Sequence, residues 1–173
     1  MIIFRDLKFW VSRTPSKSVV AVLLNPCFHI LALYRVAHFF YLYNIPFISK
    51  VLWFFARVVF AADIDWRAKI GERFFLVHGI GTTIGRNVIL GNDVTVYQGV
   101  TLGGSGKARV SQGELLEQPI LGDGVKVFAQ AMVLGGVRIG DRAVVSAATV
   151  ISSDVPANTT VKNRRATELI SKA

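Results

Sequence analysis

LGDGVKVFAQAMVLGGVRIGDRAVVSAATVI, residues 121–151, decides the fold. Aliphatic residues stand at Leu121, Val127, Val133, Ile139, Val145 and Ile151, six apart throughout, and glycine follows directly at Gly122 and Gly140. A helix repeats every 3.6 residues and a strand every two, so neither alone produces a period of six. A short strand followed by a tight corner does. In such a unit the aliphatic residue points inward and stacks on its copy one coil later. Glycine or asparagine at the corner is expected to accept dihedral angles that a larger side chain resists. Three hexads close a triangular coil of about eighteen residues, and the chain winds into a parallel β-helix.

Working outward towards the N-terminus, the pattern continues through Leu102-Gly103, Val96, Leu90-Gly91 and Ile84-Gly85, and it begins at Ile64 and Ile70-Gly71. Two segments interrupt it. Between Ile70 and Ile84, LVHGIGTT adds two residues beyond two hexads. Between Leu102 and Leu121, GGSGKARVSQGELLEQP supplies a polar, glycine-rich stretch. Residues that break a repeat leave its surface as loops, and such loops carry function. One of only three histidines, His78, stands in the first interruption, and Lys107 in the second.

The 62 residues ahead of the repeat follow another rule. They hold seven basic side chains (Arg5, Lys8, Arg13, Lys17, Arg35, Lys50, Arg57) and one acidic, Asp6, a share of +6 in a formal net charge of +9 over 173 residues. Mean hydropathy is +0.47 for the whole chain. FHILALYRVAHFFYLY, residues 28–43, reads as a helix with Arg35 and His38 on one face, and 46–61 as another with Lys50 and Arg57 on one face. A turn near Asn44–Pro46 joins them. Charged residues and Asn-Pro pairs keep the apolar runs short of the roughly 20 residues a membrane span needs. The segment is therefore expected to lie on an anionic membrane surface or to cap the coil. Basic residues embedded among apolar ones, with no nucleic-acid motif, argue against a nucleic-acid partner. Cys27, the single cysteine, reads as a small buried side chain in a reducing compartment. MIIFRDLKFW places charges inside its first apolar run and does not read as a secretory signal. The expected location is the cytoplasm, at the inner face of the cytoplasmic membrane.

Further residues give the chain a family resemblance. DID at 63–65, AKIG at 68–71, HGIG at 78–81, IG at 84–85, YQGVTLGGSGK at 97–107 and DVP at 154–156 together resemble the hexapeptide-repeat acyltransferases, most of all the serine acetyltransferase branch. The resemblance covers residues 63–161. It implies a mainly β fold, a left-handed parallel β-helix, assembled as a homotrimer that takes acetyl groups from acetyl-CoA at clefts between subunits. It implies His78 as general base and Asp63 as the carboxylate that orients it. Fifteen residues is a little less than one coil, so the two are expected side by side on adjacent rungs. It further implies that Gly103, Gly104, Ser105, Gly106 and Lys107 lie along the CoA thiol arm, and that Ala129 and Ala147 leave room for the pantetheine. No metal is expected.

The sequence departs from that branch where the amino-acid acceptor binds. Val77 stands where the branch has an Asp before the base, and Glu117-Gln118 stand before Pro119 where it has Arg-His. Asn163 and Arg165 replace a Gly and a Pro of the closing segment, which bears on the CoA nucleotide contacts there. These departures lead to the expectation of an O-acetyltransferase acting on a sugar hydroxyl of a surface polysaccharide, of capsule or O-antigen type, or of its precursor. The alternatives are a serine O-acetyltransferase and a non-catalytic trimeric scaffold. The domain boundaries expected are 1–62 for the basic segment, 63–161 for the β-helix and 162–173 for a tail.

Overall fold

The computed structural model describes residues 2–111 and 113–163. Four helices come first: α1 (Ile2–Arg13), α2 (Val19–Leu23), α3 (Pro26–Leu42) and α4 (Pro46–Phe60). The Asn25 side chain caps α3 by accepting from the Cys27 N–H at 2.9 Å, and Pro26 supplies the first-turn φ. Pro46 does the same for α4. The two expected helices are present, and α1 and α2 join them. No described helix is long and apolar enough to cross a membrane.

From residue 63 the chain coils. The first coil holds β1 (Asp63–Ile64), β2 (Lys69–Ile70) and β3 (Phe75–Val77), and the second β4 (Thr83–Ile84), β5 (Ile89–Leu90) and β6 (Thr95–Tyr97). The third holds β7 (Thr101–Gly103), an antiparallel hairpin of β8 (Arg109–Ser111) and β9 (Glu114–Leu116), then β10 (Ile120–Leu121) and β11 (Lys126–Val127). The fourth holds β12 (Met132–Leu134), β13 (Arg138–Ile139) and β14 (Val144–Val145). The last holds β15 (Val150–Ile151), a bridge at Val155 and β16 (Thr160–Val161). The coils stack into three parallel sheets: sheet A is β1-β4-β7-β12-β15, sheet B is β2-β5-β10-β13, and sheet C is β3-β6-β11-β14-β16.

The hexad positions form the core. Ile84, Leu102 and Val133 stack in sheet A, with Ile84 paired to Leu102 and Leu102 to Val133. All three are fully buried. Each such side chain contributes about 1.5–3 kcal/mol of transfer free energy. The glycines that follow the aliphatic positions answer to a different demand from the one expected. Gly91 and Gly140 do not have positive φ; the left-handed corner residues stand two further on, at Asp93 and Arg142. What excludes a side chain is the next coil. A Cβ on Gly91 would lie 2.8 Å from the Asp123 backbone nitrogen, and one on Gly140 would meet the Ala157 backbone. Glycine is needed where backbone passes over backbone.

The helices are fastened to the first coil by polar groups. Trp10 Nε1 donates to the Phe74 carbonyl at 2.9 Å, and the Tyr34 hydroxyl to the Ala68 carbonyl at 2.7 Å. Burial pushes the Tyr34 phenol up to about 12, so it stays a neutral donor. Arg35 donates to the Ile70 and Gly71 carbonyls at 2.6 and 2.5 Å and to Asp6 Oδ2 at 2.8 Å. Asp6 Oδ1 accepts from the Arg73 N–H. His38 Nδ1 lies 2.7 Å from the Trp66 carbonyl. The polar face of α3, Arg35 and His38, thus turns inward onto the coil, because the strand carbonyls of the first coil have no strand beneath them to bond. α3 and α4 pack against each other as a hairpin over this open end.

Candidate functional site

The bulge and the excursion lie on different edges of the triangle. Residues 78–82 turn the chain from sheet C to sheet A, between β3 and β4. His78, Gly79 and Gly81 all have positive φ there, at 64°, 58° and 71°. Left-handed backbone is unusual for a residue with a Cβ, and histidine is among those that tolerate it best. His78 is exposed. Above it the same edge repeats. The Gly99 N–H donates to the Ile80 carbonyl, the Gln130 N–H to the Gln98 carbonyl, and the Ala148 N–H to the Ala129 carbonyl, each at 2.9–3.0 Å. The structure therefore places His78, Ala129 and Ala147 along one edge, with Gln98 directly over the histidine and the two alanines above it.

Asp63 begins β1 in sheet A, where it pairs with Thr83 of the strand that the His78 corner leads into. The Asp63 N–H donates to the Thr82 carbonyl at 2.9 Å. The backbone thus brings Asp63 to the His78 corner on the adjacent rung. Its carboxylate partners lie on α4: Trp53 Nε1 donates to Oδ1 at 2.8 Å, and Arg57 lies 3.1 Å from Oδ2. The Arg57 guanidinium also sits over the Trp53 ring, 5.4 Å from its centroid. No sequence signal linked Trp53 or Arg57 to this carboxylate, since the contact depends on how α4 docks.

An open groove of about 590 Å³ adjoins His78. Trp10, Cys27, Ile30, Phe60, Val77 and Ile80 line it together with His78, and no Asp, Glu, Lys or Arg does. Cys27 is buried behind the bulge, and a Cβ on Gly79 would lie 3.3 Å from its sulfur. Burial pushes the Cys27 thiol up, partly offset by the His78 backbone, so the thiol stays protonated.

Gly103–Lys107 leave the coil at the sheet A to sheet B edge, away from His78. Residues 104–107 are exposed, and a Cβ on Gly103 or Gly106 would meet nothing within 4 Å. Their backbone is open to a ligand. The first of these glycines still follows the strand, but Gly104 passes so close to Gln118 that a Cβ would lie 2.7 Å from its Nε2. Gln118 Oε1 is buried without a hydrogen-bond partner. Arg165 lies outside the described residues, while Asn163 Nδ2 donates to the Ala148 carbonyl at 2.6 Å, at the top of the His78 edge. Among the described residues no three His, Cys, Asp or Glu side chains gather as a metal would need.

The excursion is tied down at its far end. Ser111 donates to Asp154 Oδ2 at 2.7 Å, the Arg138 N–H to Asp154 Oδ1 at 2.9 Å, and Arg109 to the Ser152 carbonyl. Burial alone would push the Asp154 carboxyl up, but these N–H and hydroxyl donors outweigh it and hold the carboxyl below its usual range. A depressed pKa means that this stabilisation is present above the unfolded value of about 3.9 and is lost as pH falls through the folded one. Amide protection factors in β8 and β9, after correction for the intrinsic pH dependence of exchange, are expected to fall progressively as pH drops below about 3.9, and in Asp154→Asn to be low at neutral pH as well.

No protein-family model matches the chain. A serine acetyltransferase of Helicobacter pylori is 39% identical over 145 residues, a match spanning 84% of this chain and 82% of the relative. Among solved structures, Neisseria gonorrhoeae serine acetyltransferase in complex with serine superposes with TM-score 0.83 at 34% identity, covering 93% of this chain and 65% of that one. Serine acetyltransferase of Brucella abortus in complex with coenzyme A superposes with TM-score 0.81 at 28% identity, covering 92% and 62%. The chain thus spans less than two thirds of the length of each of these two solved chains.

Proposed function

The chain belongs to the serine acetyltransferase family of left-handed β-helix, hexapeptide-repeat enzymes, and on that premise we propose that it transfers the acetyl group of acetyl-CoA to the hydroxyl of serine. Acetyl-CoA as co-substrate is supported by the coenzyme A complex of a relative with the same fold. The residues present fit it: Gly103 and Gly106 offer open backbone, and Ala129 and Ala147 keep the part of the His78 edge above Gln98 free of bulk. The observation that carries the reading is the exposed His78 at the one corner of the described coil that the two-residue bulge enlarges.

In the proposed reaction the His78 imidazole takes the hydroxyl proton as the hydroxyl oxygen bonds to the thioester carbonyl carbon. The carbon–sulfur bond breaks, and the CoA thiolate leaves and receives that proton from the imidazolium. Asp63 comes to the same corner on the adjacent rung, but Trp53 and Arg57 hold its carboxylate, so orienting the imidazole requires it to exchange one of those partners for His78. Backbone N–H groups of the Gly103–Gly106 loop stabilise charge on the carbonyl oxygen. The loop and His78 leave from different edges of one chain, so the loop is contributed by a second copy. A homotrimer places the edge of each subunit against the loop of its neighbour.

A second acceptor is favoured by specific residues. Val77 and Gln118 are uncharged where a zwitterion would need partners, and no Asp, Glu, Lys or Arg lines the groove beside His78. Those features suit a neutral sugar hydroxyl, of a surface polysaccharide or its precursor. Thiol release from acetyl-CoA by the purified protein, with serine or with a panel of sugars and glycan precursors, tests the choice. Serine-dependent release is the expected result. Release with a sugar and not with serine would replace the first reading by the second.

A further inference from the structure

We infer that the outer face of α4 docks on an anionic lipid bilayer. Phe47, Val51, Phe54 and Val58 stand four, three and four residues apart, which aligns them in one stripe along the helix. They are 76%, 49%, 62% and 67% exposed. The side of α4 turned towards the protein is a separate face: Ser49 and Ala56 are buried there, the Ser49 hydroxyl donates to the Ala37 carbonyl at 2.7 Å, and Trp53 and Phe60 pack against the coil. The helix is thus apolar on two faces, and a helix that serves only a protein core needs just the inward one. A continuous aromatic and aliphatic stripe left in water requires a cover.

Charge identifies the cover. Lys50 and Arg57 are seven residues apart and border the stripe on the same side; Arg57 also pairs with Asp63 but stays more than half exposed. α4 has no acidic residue, and the sole acidic side chain of residues 1–62, Asp6, is fully buried against Arg35. Two copies meeting through this face would bring like charges together, whereas an anionic surface is attracted to it. An apolar stripe edged by basic side chains is the arrangement that lets a helix lie in the interface of a bilayer, its apolar face in the acyl boundary and its cations among the headgroups. α4 is too short to span, so docking is peripheral. This inference does not depend on which hydroxyl accepts the acetyl group.

Co-sedimentation of the full chain with vesicles tests it, using phosphatidylcholine alone and phosphatidylcholine mixed with phosphatidylglycerol. Binding to the anionic vesicles is expected to be at least about tenfold tighter than to the neutral ones and to weaken with salt. Phe54→Glu is expected to abolish it, and Lys50→Gln to weaken it about fivefold, one cation's worth at such a surface. His78→Asn is expected to bind as the parent does. Equal partitioning to both vesicle types, or no binding to either, would overturn the inference. So would Phe54→Glu leaving vesicle binding intact while lowering the oligomeric state in sedimentation, since that assigns the stripe to a second copy.

Discussion

Replacing His78 by asparagine is expected to slow acetyl transfer by about 10²- to 10⁴-fold, the usual worth of a positioned general base. Asparagine is the informative replacement because His78 has φ 64°. Asparagine tolerates left-handed backbone, so the bulged corner keeps its shape, whereas alanine would add backbone strain to the loss of the imidazole. The expected signature is a fall in kcat with little change in acetyl-CoA affinity, an unchanged melting midpoint and an unchanged oligomeric state. Transfer within about threefold of the parent would remove His78 from the mechanism, since a base contributes far more than that. Loss of acetyl-CoA binding together with rate would instead mean that the corner shapes the donor site.

The largest effect on stability is expected at Arg35. Its side chain and that of Asp6 are 5% and 0% exposed, and between them they join α1, α3 and the first coil. Arg35→Met keeps most of the volume and removes the charge. It leaves the Asp6 carboxylate buried without its cation, and the Ile70 and Gly71 carbonyls without their donors. Breaking a buried pair on one side costs about 3–5 kcal/mol. For a chain of this size that lowers the melting midpoint by on the order of 10 °C. Adding Asp6→Leu is expected to recover part of the loss by removing the stranded charge. It does not restore the parent, because the two carbonyls and the Arg73 N–H remain unpaired. A midpoint within 2 °C of the parent, below the roughly 2–4 °C that each kcal/mol is worth, would show that water reaches the Asp6 site.

Much of this protein is determined by its sequence because its coil is built from local, repeated contacts. A period of six from Ile64 to Ile151 specifies which residue of each hexad points inward, and every one of those positions described above is buried in its expected sheet. The two breaks in the period marked the bulge at His78 and the excursion that begins at Gly104, since a coil of constant circumference has to expel extra residues. Serine, the acceptor proposed above, was legible only as an alternative. The substitutions at Val77 and Gln118 argued for a sugar, while the relatives similar over most of the chain are serine acetyltransferases.

The tertiary structure alone decided how the helices meet the coil, and thereby what surrounds the site. Periodicity places Arg35 and His38 on one face of a helix but cannot say that this face turns inward. The unpaired carbonyls of the first coil settle that, because buried polar groups need partners. In the same way Trp53 and Arg57 reach Asp63, and Phe47, Val51, Phe54 and Val58 remain outside, only because α4 lies where α3 directs it. The glycines that follow the aliphatic positions belong to this class too. A sequence reports that no side chain is present there, and only the stacked coils show that neighbouring backbone occupies its place at Gly71, Gly91, Gly122 and Gly140 and not at Gly103.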